Sequence, residues 1–197
     1  MGFTRAELNA FRGKTLPDLL GPDVRLLFVG INPGLRSVAV QADFGRKGNR
    51  FYPALYRAGI VNRLIDASTG FDPDDVAHLK SRQVGITTLV RGATARAHEL
   101  SAEDLVNGAL DLTERVSHIR PHAVAMLGVS AYRVAFGHPK ATTGLQPHHV
   151  ANVPLWVVPN PSGLNAHATP VSLAAAYREV AIAAGIAVFD EPPAALP

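Results

Sequence analysis

Four short apolar runs, each too short for a core helix and each separated from the next by helix-forming sequence, most constrain how this chain can fold. Leu26-Leu27-Phe28-Val29 is too apolar for a half-exposed strand and is stopped by glycine. Val84-Gly85-Ile86-Thr87-Thr88-Leu89-Val90 is β-branched, Ala123-Val124-Ala125-Met126-Leu127-Gly128 reads as a buried strand, and Leu155-Trp156-Val157-Val158 is the last of the set. Between them lie helix signals. Thr4 with Glu7 forms a capping box for a first helix that Gly13 ends. Asn49 caps a pattern with apolar Phe51, Leu55 and Tyr56 that Gly59 terminates, and Asp72-Pro73-Asp74-Asp75 opens another helix. Ser101 with Asp104 caps a longer one reaching about Ile119, and Thr169-Pro170 starts a last one running through Tyr177 to about Ala184. Strands that alternate with helices imply parallel pairing through right-handed crossovers. The predicted fold is α/β: a three-layer α/β/α sandwich around a mainly parallel sheet of about four strands. Residues 1–189 read as a single domain and 190–197 as a disordered tail, while Ile31 to Gly48 reads as a long irregular segment of the kind that is usually functional.

With 47% hydrophobic and 18% charged residues, the 197-residue chain has enough apolar surface for one core. It contains no cysteine, so disulfides, thiolate metal sites and Cys-ligated clusters are excluded, and a cytoplasmic location is expected. The N-terminus lacks a signal-peptide apolar core, and the longest apolar stretch, around Val180 to Phe189, is too short to span a bilayer, so no membrane association is predicted. His148, His149 and His167 lack carboxylate or cysteine partners at ligand spacing, which predicts neither metal nor cofactor. The net charge is only +3, but residues 36–63 carry Arg36, Arg46, Lys47, Arg50, Arg57 and Arg63 against the single acid Asp43. That distribution suits either a phosphate-facing surface or a solvated face.

In open α/β sheets the ligand sits beyond the carboxyl ends of the strands, which directs attention to two loops. Gly30-Ile31-Asn32-Pro33-Gly34 leaves the first strand. Its glycines allow close backbone approach, and Pro33 restricts Asn32 to extended geometry, so a stiff turn aims one amide at the strand-end crevice. Taken alone, the same residues also make an ordinary strand-to-loop turn. They match neither the Gly-x-Gly-x-x-Gly dinucleotide fingerprint nor a phosphate loop. Pro159-Asn160-Pro161-Ser162-Gly163-Leu164-Asn165 follows the last strand, combining rigid backbone, small polar groups and an apolar tip at Leu164, which suits either entry into a duplex or a plain turn before a helix. Ser162 lies outside any Gly-x-Ser-x-Gly elbow. Thr88, at the exit of the second strand, faces the same crevice, and a β-branched strand residue is its simpler explanation.

GINPGLRS from Gly30, FGRKGNRF at 44–51, GITTLV at 85–90 and VPNPSGLN at 158–165 occur in order over Leu26 to Tyr177, and together they resemble the bacterial mismatch-specific uracil-DNA glycosylases, relatives of thymine-DNA glycosylase. The resemblance implies base excision from double-stranded DNA containing uracil or a mismatched or damaged pyrimidine, by a monomer without cofactor. It implies that Asn32 positions the attacking water, that Phe44 stacks on a flipped base, and that Gly30, Ile31, Pro33, Gly34, Ser37 and Asn160 complete the base pocket. Ser162, Gly163, Leu164 and Asn165 would form the wedge and opposite-strand contacts, and Arg46, Lys47 and Arg50 would touch phosphates. A core phenylalanine is the competing reading of Phe44. The chain departs from many bacterial members in having Asn165, Ala166 and His167 where they carry Ser and a nearby Arg, which leaves the opposite-base preference open.

Overall fold

In the computed structural model, residues 2–163 and 168–190 are described. Five strands form one sheet in the order β2-β1-β3-β5-β4: β1 (Leu26–Gly30), β2 (Val84–Thr88), β3 (Ala123–Leu127), β4 (Gly144–Val150) and β5 (Val153–Val158). The first three and β5 pair in parallel, with Leu26 opposite Val84 and Ala123, and Val124 opposite Leu155.

The period-two alternation of a strand divides the core into two layers. Leu26, Phe28, Ile86, Ala125 and Trp156 point to the face covered by α3 (Phe51–Arg57), α4 (Pro73–Ser81) and α7 (Pro170–Ala183). Leu27, Val29, Val124, Met126 and Val157 point to the face covered by α5 (Ala102–Ile119) and α6 (Val129–Ala135). Strands buried on both sides explain why the runs read as continuously apolar. The Ser101–Asp104 capping box and the Thr169–Ser172 box open α5 and α7, and α5 ends at Ile119 with Arg120 in the left-handed region.

Three elements differ from the sequence reading. The first helix, α1 (Arg5–Asn9), keeps its Thr4–Glu7 box but stops before Gly13. The segment from Ile31 to Gly48 is not wholly irregular, since α2 (Leu35–Val40) forms within it and buries Leu35, Ser37 and Val38. The sheet has five strands instead of about four. The added β4 is an antiparallel edge strand joined to β5 by Ala151-Asn152, both at positive φ, as a two-residue hairpin with a primed turn requires. Its register shifts between Leu145 and His149, around Pro147, and only Gln146 and Val150 are buried, so it lacks the apolar run that marks the others.

At the carboxyl end of the described chain, the Phe189 N–H donates to the Gly59 carbonyl at 2.7 Å and Arg178 donates to the Phe189 carbonyl at 2.9 Å. Apart from Asp190, the segment read as a tail lies outside the described residues. Among the described residues no helix is long and apolar enough to cross a membrane.

Candidate active site

Strand order reverses at β1, since the chain leaves it for β2 on one side and returns to β3 on the other; crevices form at such points. A cavity of about 160 Å³ opens there. This is below the roughly 300–1,000 Å³ of pockets for drug-sized ligands and suits a single small ring better than a dinucleotide. Gly30, Ile31, Asn32, Pro33, Gly34, Ser37, Phe44, Arg46, Thr88, Asn160 and Ser162, all singled out from the sequence, line it.

The first loop is laced to the exit of β2. Beyond the strand ends, the N–H groups of Leu89, Val90 and Thr94 donate to the carbonyls of Gly30, Ile31 and Pro33 at 2.8, 2.9 and 3.2 Å. This ladder brings Thr94 against Asn32. The Asn32 Nδ2 donates to Thr94 Oγ1 at 2.8 Å, to the Gly92 carbonyl at 3.1 Å and to the Pro33 carbonyl at 3.3 Å. Three acceptors around one nitrogen fix the amide's orientation. The carbonyl oxygen accepts from no side chain or backbone group among the described residues, and Asn32 lines the cavity.

Phe44 sits in a tight turn closed by the Gly45 N–H on the Ala42 carbonyl at 3.2 Å, and its φ is +53°. The left-handed region costs a non-glycine residue on the order of 1–2 kcal/mol, so the surrounding structure must hold it there. Gly45 is required for the closure, because a Cβ would lie 2.8 Å from the Ala67 carbonyl oxygen. Phe51 stacks on Phe44 with ring centroids 4.0 Å apart, and Phe44 remains half-buried at the cavity wall, so it is both core ring and pocket ring.

Asn160 folds its Oδ1 back to accept the Ser162 N–H at 2.9 Å. It approaches the end of β3 where Gly128 has a φ of +121°; an added Cβ there would meet the Asn160 amide nitrogen and the Ile31 side chain, each at 3.5 Å. Arg50 has a different place from the phosphate contact read from the sequence. Its guanidinium is partly buried and donates to the carbonyls of Pro161, Ser162 and Ala168, so it clamps the loop after β5. Arg46 and Lys47 are exposed; Arg46 lines the cavity, and Lys47 lies beside it with Phe44 on a neighbouring cleft. Gly163 is exposed, and Leu164 and Asn165 lie outside the described residues.

The cavity also holds groups that sequence reasoning missed. Thr94, Ala95 and Arg96 come from well past β2, delivered by the ladder described above. Asp43 is buried at 6% exposure, and burial, with the nearby Asp18 charge, pushes its carboxyl up to about 7, opposed by Arg91. Asp18 itself is engaged by Thr87 Oγ1 at 2.7 Å and by Arg91. The only signal available for Asp43 was that it is the lone acid in a basic segment. Among the described residues no three His, Asp or Glu side chains converge as a metal site.

The family model of the Uracil DNA glycosylase superfamily matches residues 17–181. The chain belongs to that superfamily. This membership places the protein among DNA glycosylases and fits DNA as its partner. A solution NMR structure from Methanosarcina acetivorans, provisionally named a uracil DNA glycosylase, superposes with a TM-score of 0.58 at 15% identity, covering 85% of this chain and 98% of that one. At that identity the match speaks for the glycosylase fold alone.

Proposed function

We propose that this glycosylase hydrolyses the N-glycosidic bond of uracil in double-stranded DNA, with ethenocytosine and mispaired thymine as further substrates, and leaves an abasic site. The observation that carries this reading is the Asn32 carbonyl oxygen, held without a donor among the described residues at the wall of a cavity the size of one small ring, with Phe44 beside it.

Cleavage builds positive charge on the deoxyribose and negative charge on the departing pyrimidine. Asn32 accepts a hydrogen bond from water and aims it at C1′. An amide cannot take the proton, so the water attacks an already electron-poor carbon and turnover is slow. Phe44, backed by Phe51, stacks on the flipped base, a contact worth roughly 1–3 kcal/mol. Asn160 and Ser37 face the same base. Lys47, exposed and beside the pocket, serves phosphate contact, so a β-lyase step through a lysine imine is not part of the mechanism.

A cleft next to the cavity supports a DNA partner. It shares Gly34, Ser37, Arg46, Ala95 and Arg96 with the cavity and adds Arg5 from α1. The side chains of Arg5, Arg46 and Arg96 donate to no protein acceptor among the described residues, leaving these charges for phosphates.

The test is a labelled duplex carrying G·U, incubated with protein and then treated with alkali. Wild type cuts the uracil strand, and Asn32→Ala binds the duplex but loses on the order of 10²-fold or more in single-turnover rate. Binding without strand scission at protein excess would overturn the reading in favour of a damage-binding module.

A further inference from the structure

We propose that Asp43 is a further catalytic residue of this reaction, donating a hydrogen bond from its protonated carboxyl to the departing pyrimidine. The proposal rests on the glycosylase reading above and adds to it a proton-carrying group. Asp43 lines the same cavity as Asn32, Ser37, Phe44 and Asn160. Its side chain is buried, yet no other residue among those described donates to its oxygens. Buried polar groups in native proteins are matched almost without exception, so a carboxyl that meets only its own backbone N–H among the described residues, at a cavity wall, is a group kept for what enters the cavity.

Its position is over-determined by backbone. Tyr52 Oη donates to the Asp43 carbonyl at 3.0 Å, the 42–45 turn is closed by Gly45, and Phe44 is held at positive φ by stacking on Phe51. The carboxyl is thereby fixed one residue from the ring read as the base platform. A structural acid would be expected to meet a cation or a helix N-terminus. Here Arg91 pairs with Asp18 instead, and Arg46 at the cavity wall is exposed.

Charge decides which form acts. The bond pair of the cleaved C1′–N1 bond stays with the pyrimidine, so negative charge develops in the cavity. An ionised Asp43 beside it would place two like charges in a poorly solvated space, which raises the pKa of a carboxyl already lifted by burial and by Asp18. The neutral acid instead presents an O–H to the departing oxygen or nitrogen and strengthens that hydrogen bond as charge builds. Water supplies the oxygen at C1′, and its proton ends on the released base, so Asp43 is unchanged over the cycle. The charged groups acting on Asp43 are Asp18 before β1 and Arg91 after β2, while Arg46 of its own loop lines the same cavity. From α3 it meets the Tyr52 phenol, which burial keeps neutral.

The experiment is the pH dependence, from 5.5 to 9, of single-turnover uracil excision by wild type, Asp43→Asn and Asp43→Ala, with duplex binding measured alongside. The wild-type rate should be level in acid and fall by about tenfold per pH unit above about 7. Asp43→Asn keeps an N–H donor and the shape of the residue, so it should stay within about tenfold of the acid-limb rate and lose the pH dependence. Asp43→Ala should lose on the order of 10²-fold at pH 6 with duplex binding retained. A wild-type rate that rises through pH 7 with Asp43→Asn inactive would make Asp43 a base and overturn the proposal. An Asp43→Asn profile that copies wild type would overturn it too, while leaving the glycosylase reading intact. Wild type that excises no uracil at any pH sinks both.

Discussion

At the residue scale, Asp43 and Asn32 illustrate two ways of preparing a site. Asn32 is satisfied on its nitrogen and left open on its oxygen, so its chemistry is set by three neighbours that hold it. Asp43 meets only its own backbone N–H among the described residues, and its burial has a measurable cost to the fold. Its folded-state pKa lies above that of an exposed aspartate, so between about 4 and 7 the folded protein binds a proton that the unfolded chain has released. Stability from this group is therefore present at low pH and lost as pH rises to about 7. Asp43→Asn removes the titration. Its melting temperature should exceed that of wild type at pH 8 by on the order of 5 °C, with the difference vanishing near pH 4, as read by calorimetry at the two pH values. Asn32 and Asn160 were legible in the sequence because each follows an apolar run, whereas Phe44 was picked out only by the resemblance of its motif. Asp43 was not, because an aspartate among arginines and glycines reads as solvated; its burial is produced by Tyr52 and the 42–45 turn, which are tertiary facts.

At the scale of elements, the four core strands and the capped helices were readable because the same residues serve local preference and burial. The edge strand β4 was not: Pro147 interrupts it, most of its side chains are exposed, and its turn is Ala-Asn instead of an Asn-Gly signature. The role of Arg50 was hidden for a related reason. An arginine preceding a helix in a basic loop looks like a phosphate ligand, and only the fold reveals that the loop after β5 crosses its guanidinium. Its bonds to the Pro161, Ser162 and Ala168 carbonyls join α3 to the approach of α7. Charged hydrogen bonds of this kind contribute about 1.5–3 kcal/mol each when a partner would be left bare. Arg50→Ala should lower stability by about 3 kcal/mol in urea titration and reduce uracil excision more than duplex binding, because the Asn160 wall of the cavity loses its anchor.

Over the whole molecule, the reversal of strand order at β1 decides where the cavity lies, and the cleft beside α1 extends its charge outward. Net charge alone predicted little. What distinguishes this surface is that Arg5, Arg46 and Arg96, contributed by three separate segments, converge on one side of the cavity without acceptors of their own among the described residues. Each phosphate neutralised contributes about 0.9 to the slope of log affinity against log salt. Arg5→Ala should therefore weaken duplex binding at low salt and reduce that slope by about 1, as measured by fluorescence anisotropy from 50 to 200 mM salt. A slope unchanged from wild type would place the DNA elsewhere.

The Arg50 clamp grips the loop at Pro161 and Ser162 and again at Ala168, on both sides of residues 164–167. Substitutions within 164–167 leave these anchoring carbonyls in the sequence on either side. With the wedge role expected for this loop, such substitutions would alter which base is tolerated opposite the lesion separately from the excision chemistry proposed for Asn32. In this chain the interval reads Leu-Asn-Ala-His, with Leu164 as in the family it resembles and the departure falling on Asn165, Ala166 and His167.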